Sequence, residues 1–186
     1  MRVVEASAVV PLSPEEAWDL LIGDQMDRLV EMPEISVVAL EDFQVRSDGT
    51  ARYVVANKAG PSTIRHTAEF TVYDRPHRSV NRVLDSPYGG TFYGTYEPAG
   101  GGTRVHWRWE VEAQNTLTGV LLPLVHPLLA RSMQQDLDAL AKRFGPQEDQ
   151  ERQPAAFPAV PGIIVLVAAS ILVIYLLRRR SRTRRR

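Results

Sequence analysis

The 186-residue chain contains no cysteine. Disulfides, thiolate metal sites and a cysteine nucleophile are therefore excluded, and the absence fits a reducing compartment. Histidine is scarce: the four in the chain show no HxxxH or HxH spacing, so no metal site is expected. There is no GxSxG, no P-loop and no dinucleotide fingerprint, and no cofactor is expected. The run Gly100–Gly102 precedes a strand pattern instead of a helix, which makes it a hairpin loop and not a phosphate cradle. No secretory signal is expected either, because Glu5 interrupts an N-terminal apolar run that is short and β-branched.

Net charge is also missing, but only as a sum. Residues 178–186, RRRSRTRRR, hold seven of the 22 basic residues, leaving 15 basic against 22 acidic residues in 1–177. The body is thus acidic and the end basic, an asymmetry that belongs to topology and not to the fold. With 44% hydrophobic and 24% charged residues, the composition suits one globular domain plus an additional segment.

What is present sorts by period. In MRVVEASAVV, Val4, Ala6, Ala8 and Val10 share one parity, a first strand with a mostly apolar face that Pro11 stops. SPEEAWDLLIG follows as a helix. Ser13 serves as N-cap, Pro14 takes the first helical position, and Glu15 and Glu16 suit the positive end of the dipole. Ala17, Trp18, Leu21 and Ile22 form its buried stripe and Gly23 closes it. Asp24 is expected to cap a second short turn, QMDRLVEM. Six β-type runs then fill 34–114, separated by breaks short enough for successive antiparallel hairpins.

The last run, GGTRVHWRWEVE at 101–112, alternates cleanly. Thr103, Val105, Trp107, Trp109 and Val111 take one face, and Arg104, His106, Arg108, Glu110 and Glu112 the other. Pairing Tyr96 near Thr103 puts Phe92 opposite Trp107 with Gly94 between them. These rings either fill a core or shape one end of a cavity. In STIRHTAEFTVY, His66 shares the parity of Ile64, Ala68, Phe70 and Val72, and so points at the apolar face. A histidine there is a bonded core residue, a pocket hydrogen-bond donor or a general acid/base. No Asp or Glu of matching parity in its own strand orients it. His106 belongs to the charged face, and the face of His126 is not assigned.

Residues 119–144 change to helical spacing, with Leu121, Val125, Leu128, Leu129, Met133, Leu137, Leu140 and Phe144 on one stripe. Pro123 and Pro127 make the first turns irregular, and Gly145 and Pro146 end the helix. A strongly bent sheet covered by one straight helix leaves a cavity between them.

The order of elements, the opening VVEASAVVPLSPEEAWDLL, the hairpin YEPAGGGTRVHWRWEVE and the closing LLPLVHPLLARSMQQDLDALAKRF together resemble the SRPBCC superfamily. The nearest branch is the polyketide cyclase/dehydrase-like proteins, and the likeness covers about residues 2–144. It implies an α+β helix-grip fold, with a seven-stranded antiparallel bent sheet wrapped on the long helix, over domain 1–145. It further implies a cavity for an apolar molecule such as a lipid, quinone or polyketide. His66, Phe70, Phe92, Tyr96, Trp107, Trp109, Leu129 and Met133 are the expected ligand contacts. The alternatives are a cyclase/dehydratase-type enzyme using His66 as acid/base, or a membrane partner with a closed core.

Beyond the domain, 146–158 reads as a polar, proline-punctuated linker. Residues 159–177 read as a single-pass membrane helix and 178–186 as an arginine-rich tail. Gly162 to Leu177 is 16 residues without a charge, which at 1.5 Å each spans roughly 24 Å of a ~30 Å hydrocarbon core. Arginines directly after an apolar helix suit anionic lipid headgroups better than nucleic acid. The expected location is the membrane with the domain cytoplasmic. The positive-inside rule places the tail there instead, so orientation stays open.

Overall fold

In a computed structural model of the chain, residues 1–45, 50–59 and 62–145 are described. Ten elements follow in order: β1 (Arg2–Val10), α1 (Pro14–Leu21), α2 (Asp27–Val30), β2 (Val37–Val45), β3 (Ala51–Ala59), β4 (Ser62–Asp74), β5 (Arg78–Leu84), β6 (Tyr88–Ala99), β7 (Gly102–Ala113) and α3 (Thr116–Phe144). The strands form one antiparallel sheet in the order β1-β7-β6-β5-β4-β3-β2. Six strands follow one another as hairpins, and only β1 crosses, to pair with β7 from Arg2↔Val111 to Val10↔Thr103.

Local chemistry sets the helices. Ser13 caps α1 through a capping box, its hydroxyl accepting from the Glu16 N–H while the Glu16 carboxylate accepts from the Ser13 N–H at 2.9 Å. Two N–H groups, of Ile22 and Gly23, then donate to the Trp18 carbonyl and stop the helix. Asp24 does not cap α2: that helix starts after Met26, which makes no side-chain cap bond. β2 begins at Val37 and not near residue 34, because Ser36 is held by α3.

α3 starts three residues before the expected position, where Asn115 and Thr118 build a second capping box. It runs helically through Pro123 and Pro127. Both prolines are exposed, as is Gly119, so the carbonyls of Gly119 and Pro123 that lose their helical donors meet water. The apolar stripe of α3, including Met133, Leu137 and Leu140, is buried against the sheet with Val4, Val105, Val111 and Trp18 in the same core.

The expected linker, membrane helix and arginine tail lie outside the described residues. Among the described residues, no helix is long and apolar enough to cross a membrane.

Candidate functional site: a cavity between the sheet and the long helix

The sheet and α3 do not meet everywhere, and a cavity of about 280 Å³ remains between them. β7 contributes Trp107 and Trp109, β6 Phe92, β4 His66, and α3 Leu129 and Met133. Trp107 and Trp109 are only half-buried although they point inward, because the cavity exposes them. Alternation along β7 places both rings on one face, against the space that the sheet and α3 leave between them.

Six of the eight expected contacts therefore line one space. Phe70 and Tyr96 do not. Each is 0% exposed and so presents no surface to the cavity. The reason is a run of rings that seals one end of the sheet. Phe43 meets Tyr53, Tyr53 meets Phe70, Phe70 meets Tyr73, and Tyr73 meets Trp18 of α1, which stacks edge-on against Tyr96 at 5.3 Å. Parity gives these two residues the correct face, but it does not show that α1 covers that end.

The β6–β7 register also differs from the expectation. Tyr96 pairs with Val105, Gly94 with Trp107 and Phe92 with Trp109. The hairpin closes as far as Ala99↔Gly102, so Gly100 and Gly101 alone make the turn. Gly102, at φ +149°, passes so near the end of β1 that a Cβ would stand 2.1 Å from the Val10 carbonyl oxygen. Phe92 still meets Trp107 edge-on at 5.8 Å, across the diagonal.

Beneath the cavity a small polar cluster surrounds Gly94. A Cβ there would stand 2.7 Å from both the Ser79 and the Tyr96 hydroxyls. Ser79 and the Trp107 indole N–H approach the Tyr96 hydroxyl closely enough to favour its ionised form, yet neither reaches full hydrogen-bond geometry. Burial outweighs both and pushes the tyrosine up to about 12.

The profile of the family described as polyketide cyclase / dehydrase and lipid transport matches residues 1–145. The chain belongs to that family. A solved structure similar to it is TTHA0849 from Thermus thermophilus, at 22% identity and a TM-score of 0.62, covering 77% of this chain and 97% of that one. Another is Ara h 8.0201, at 13% identity and a TM-score of 0.57, over 77% of this chain and 97% of that one. BexL, a di-domain ARO/CYC from the BE-7585A biosynthetic pathway, is similar over 78% of this chain and 50% of that one, at 15% identity and a TM-score of 0.63. At these identities the likeness is one of fold. No curated protein matches the chain.

For a member of the polyketide cyclase / dehydrase and lipid transport family, the chemistry at the cavity wall is sparse. Burial alone lowers the pKa of His66, so the ring is neutral at pH 7. It carries no orienting carboxylate among the described residues; the nearby Asp85 carboxylate instead accepts from Thr67 at 3.2 Å. Asp136, the acid that lines the cavity from α3, is engaged by the Ser36 N–H at 2.9 Å and the Ser36 hydroxyl at 2.6 Å. Burial raises its pKa, and the two Ser36 bonds oppose that. Among the described residues no group of three His, Asp or Glu side chains is placed to hold a metal. The wall can therefore enclose an apolar body and offer hydrogen bonds to it.

Sequence reasoning missed several lining residues. Tyr53, Val55 and Asn57 share one parity in β3, a signal that was present. Leu21, Ile22, Met26 and Leu29 reach the cavity from α1, α2 and their connection. Nothing in the sequence distinguishes a helix residue that lines a cavity from one that fills a core.

Proposed function

We propose that the domain binds and carries an apolar small molecule, such as a lipid, quinone or polyketide, in this cavity, and that residues 159–177 tether it to a membrane. One observation supports a carrier best: His66 borders the cavity with no carboxylate to orient it among the described residues. General acid/base work needs a proton carrier held in register with the reacting atom. The wall is otherwise dominated by Trp, Phe, Leu, Met and Ile side chains, which suits apolar surface. The tether rests on the uncharged run from Gly162 to Leu177 and the arginines that follow it. Mass spectrometry of apolar molecules co-purifying with the detergent-extracted chain tests the carrier reading. A bound lipid, quinone or polyketide is expected, and its displacement by Met133→Trp would place it under α3. Recovery of the protein without any such molecule, together with no uptake of added ones, would defeat the reading.

A second reading, a cyclase or dehydratase using His66, draws on the neutral ring, which is able to accept a proton. His66→Gln separates the two. A carrier keeps binding with a loss on the order of 1 kcal/mol, whereas an enzyme keeps binding but loses about 10²-fold or more in turnover.

A further inference from the structure

Within the apolar wall, three uncharged polar side chains surround Ala68. Tyr53 is the direct cross-strand partner of Ala68 on β3, and His66 precedes it by two residues on the same face of β4. Asn81 lies on the diagonal, because Ala68 pairs with Val83 and Phe70 with Asn81. Each of the three thus stands about 5–8 Å from Ala68 at Cβ: Tyr53 and His66 are diagonal neighbours of one another, and Asn81 flanks Ala68 from the side opposite His66. Ala68 is the smallest residue of the group and is only 1% exposed.

All three line the cavity. None of them makes a hydrogen bond to another described residue. Burial is the leading influence on both ionisable members: it keeps His66 neutral and holds the Tyr53 hydroxyl protonated. The charged lining residues are Lys58 and Asp136. The Lys58 N–H donates to the Ser36 carbonyl at 2.7 Å, and Ser36 binds Asp136. Lys58 lies five residues along β3 from Tyr53, about 16 Å away, and its cross-strand partner Thr63 lies three residues before His66, about 10 Å along β4.

Polar groups facing an apolar space are costly unless an occupant satisfies them. We infer that Tyr53, His66 and Asn81 form a polar subsite that takes a neutral oxygen of the ligand, a carbonyl or hydroxyl, while the aromatic and aliphatic wall takes its apolar body. The preferred ligand is therefore an apolar molecule bearing an uncharged oxygen. A plain hydrocarbon leaves the three groups unsatisfied, and a carboxylate finds no cation beside them.

This inference rests on the cavity being a binding site, and a matched pair of probes separates the two. 9-Fluorenone and fluorene share one tricyclic frame and differ by a carbonyl oxygen. Dissociation constants for both are measured by titration calorimetry on the detergent-extracted full chain and on Tyr53→Phe and Asn81→Leu. The wild type is expected to favour the ketone. Each substitution should weaken fluorenone about tenfold and leave fluorene within about twofold, and the fluorene value also reports that the variant is folded. Fluorene-9-carboxylate should bind more weakly than the ketone. A ketone-to-hydrocarbon ratio that is the same in the wild type and both variants would overturn the subsite while the binding reading stands. Failure of both probes to bind the wild type would overturn both.

Discussion

Gln134 of α3 exchanges two hydrogen bonds with the backbone of Ser7 in β1: it accepts from the Ser7 N–H at 3.1 Å and donates to the Ser7 carbonyl at 3.1 Å. A helix side chain thus occupies the place that another strand would take. Eight residues earlier, His126 Nε2 lies 2.7 Å from the Val3 carbonyl, four residues earlier in β1. Eight helical residues rise about 12 Å and four strand residues about 13 Å, so the two elements stay in register along the sheet edge. The grip occupies edge groups of Val3 and Ser7 through which β1 would otherwise template another chain.

Gln134→Ala should therefore lower stability by about 1–2 kcal/mol, the order expected for two amide bonds at a partly exposed site. Urea unfolding measures it. An unchanged midpoint would show that apolar burial alone holds α3 on the edge.

The Ser36–Asp136 contact joins residues 100 apart in sequence and fixes where β2 begins. Asp136 is largely buried and its pKa is raised, so its charge is held at a cost that the two Ser36 bonds only partly offset. Asp136→Asn can still accept from the Ser36 N–H, and its amide can donate to the Ser36 hydroxyl. It should be neutral or stabilising, while Asp136→Ala should cost about 1–3 kcal/mol by leaving Ser36 unpaired. Thermal unfolding of the two variants decides the point, and an equal loss in both would show that the charge itself is what matters.

Legibility differs by element for physical reasons. β7 is readable because a half-buried strand alternates, and the same parity puts His66, Trp107 and Trp109 on the cavity face. Ser13 and Pro14 mark α1 because an N-cap is a local interaction. The fate of Tyr96 and Phe70 is not readable, since it depends on Trp18 arriving from α1 over the sheet. The β6–β7 register depends on a turn of two residues, Gly100 and Gly101, where the sequence allows a longer one. Tyr53, Asn81 and His66 each neighbour Ala68 through separate strand pairings, which no single stretch of sequence records.

His66 gives the domain a pH dependence with a defined sign. Its folded pKa lies below the unperturbed 6.5 because burial penalises the charged ring. The unfolded chain therefore binds a proton more readily, and unfolding takes one up between the lowered value and 6.5. The contribution of His66 is intact above 6.5, falls as pH drops below it, and stops falling below the folded value. Asp136, with a raised pKa, acts in the opposite direction from 3.8 upward. His66→Gln should flatten the slope of stability against pH just below 6.5, as read from urea midpoints. An unaltered slope would mean that protonation of His66 is not penalised in the folded domain.

The proposed tether makes the last prediction. The core of the domain is closed by α3, where Leu137 and Leu140 are 0% and 1% exposed, and nothing in that core calls for a further segment. Deleting residues 155–186 removes the apolar run and all seven terminal arginines, leaving an acidic chain. The truncated protein should be soluble, should unfold cooperatively in urea, and should keep the fluorenone affinity of the full chain. The full chain should remain with membranes through high-salt and carbonate washing, because burial of about 16 apolar residues is not screened by salt. Release by salt alone would show that the arginines merely hold the protein to a charged surface. An insoluble truncated form would show instead that the segment packs against the domain, and the division into a carrier and a tether would be wrong.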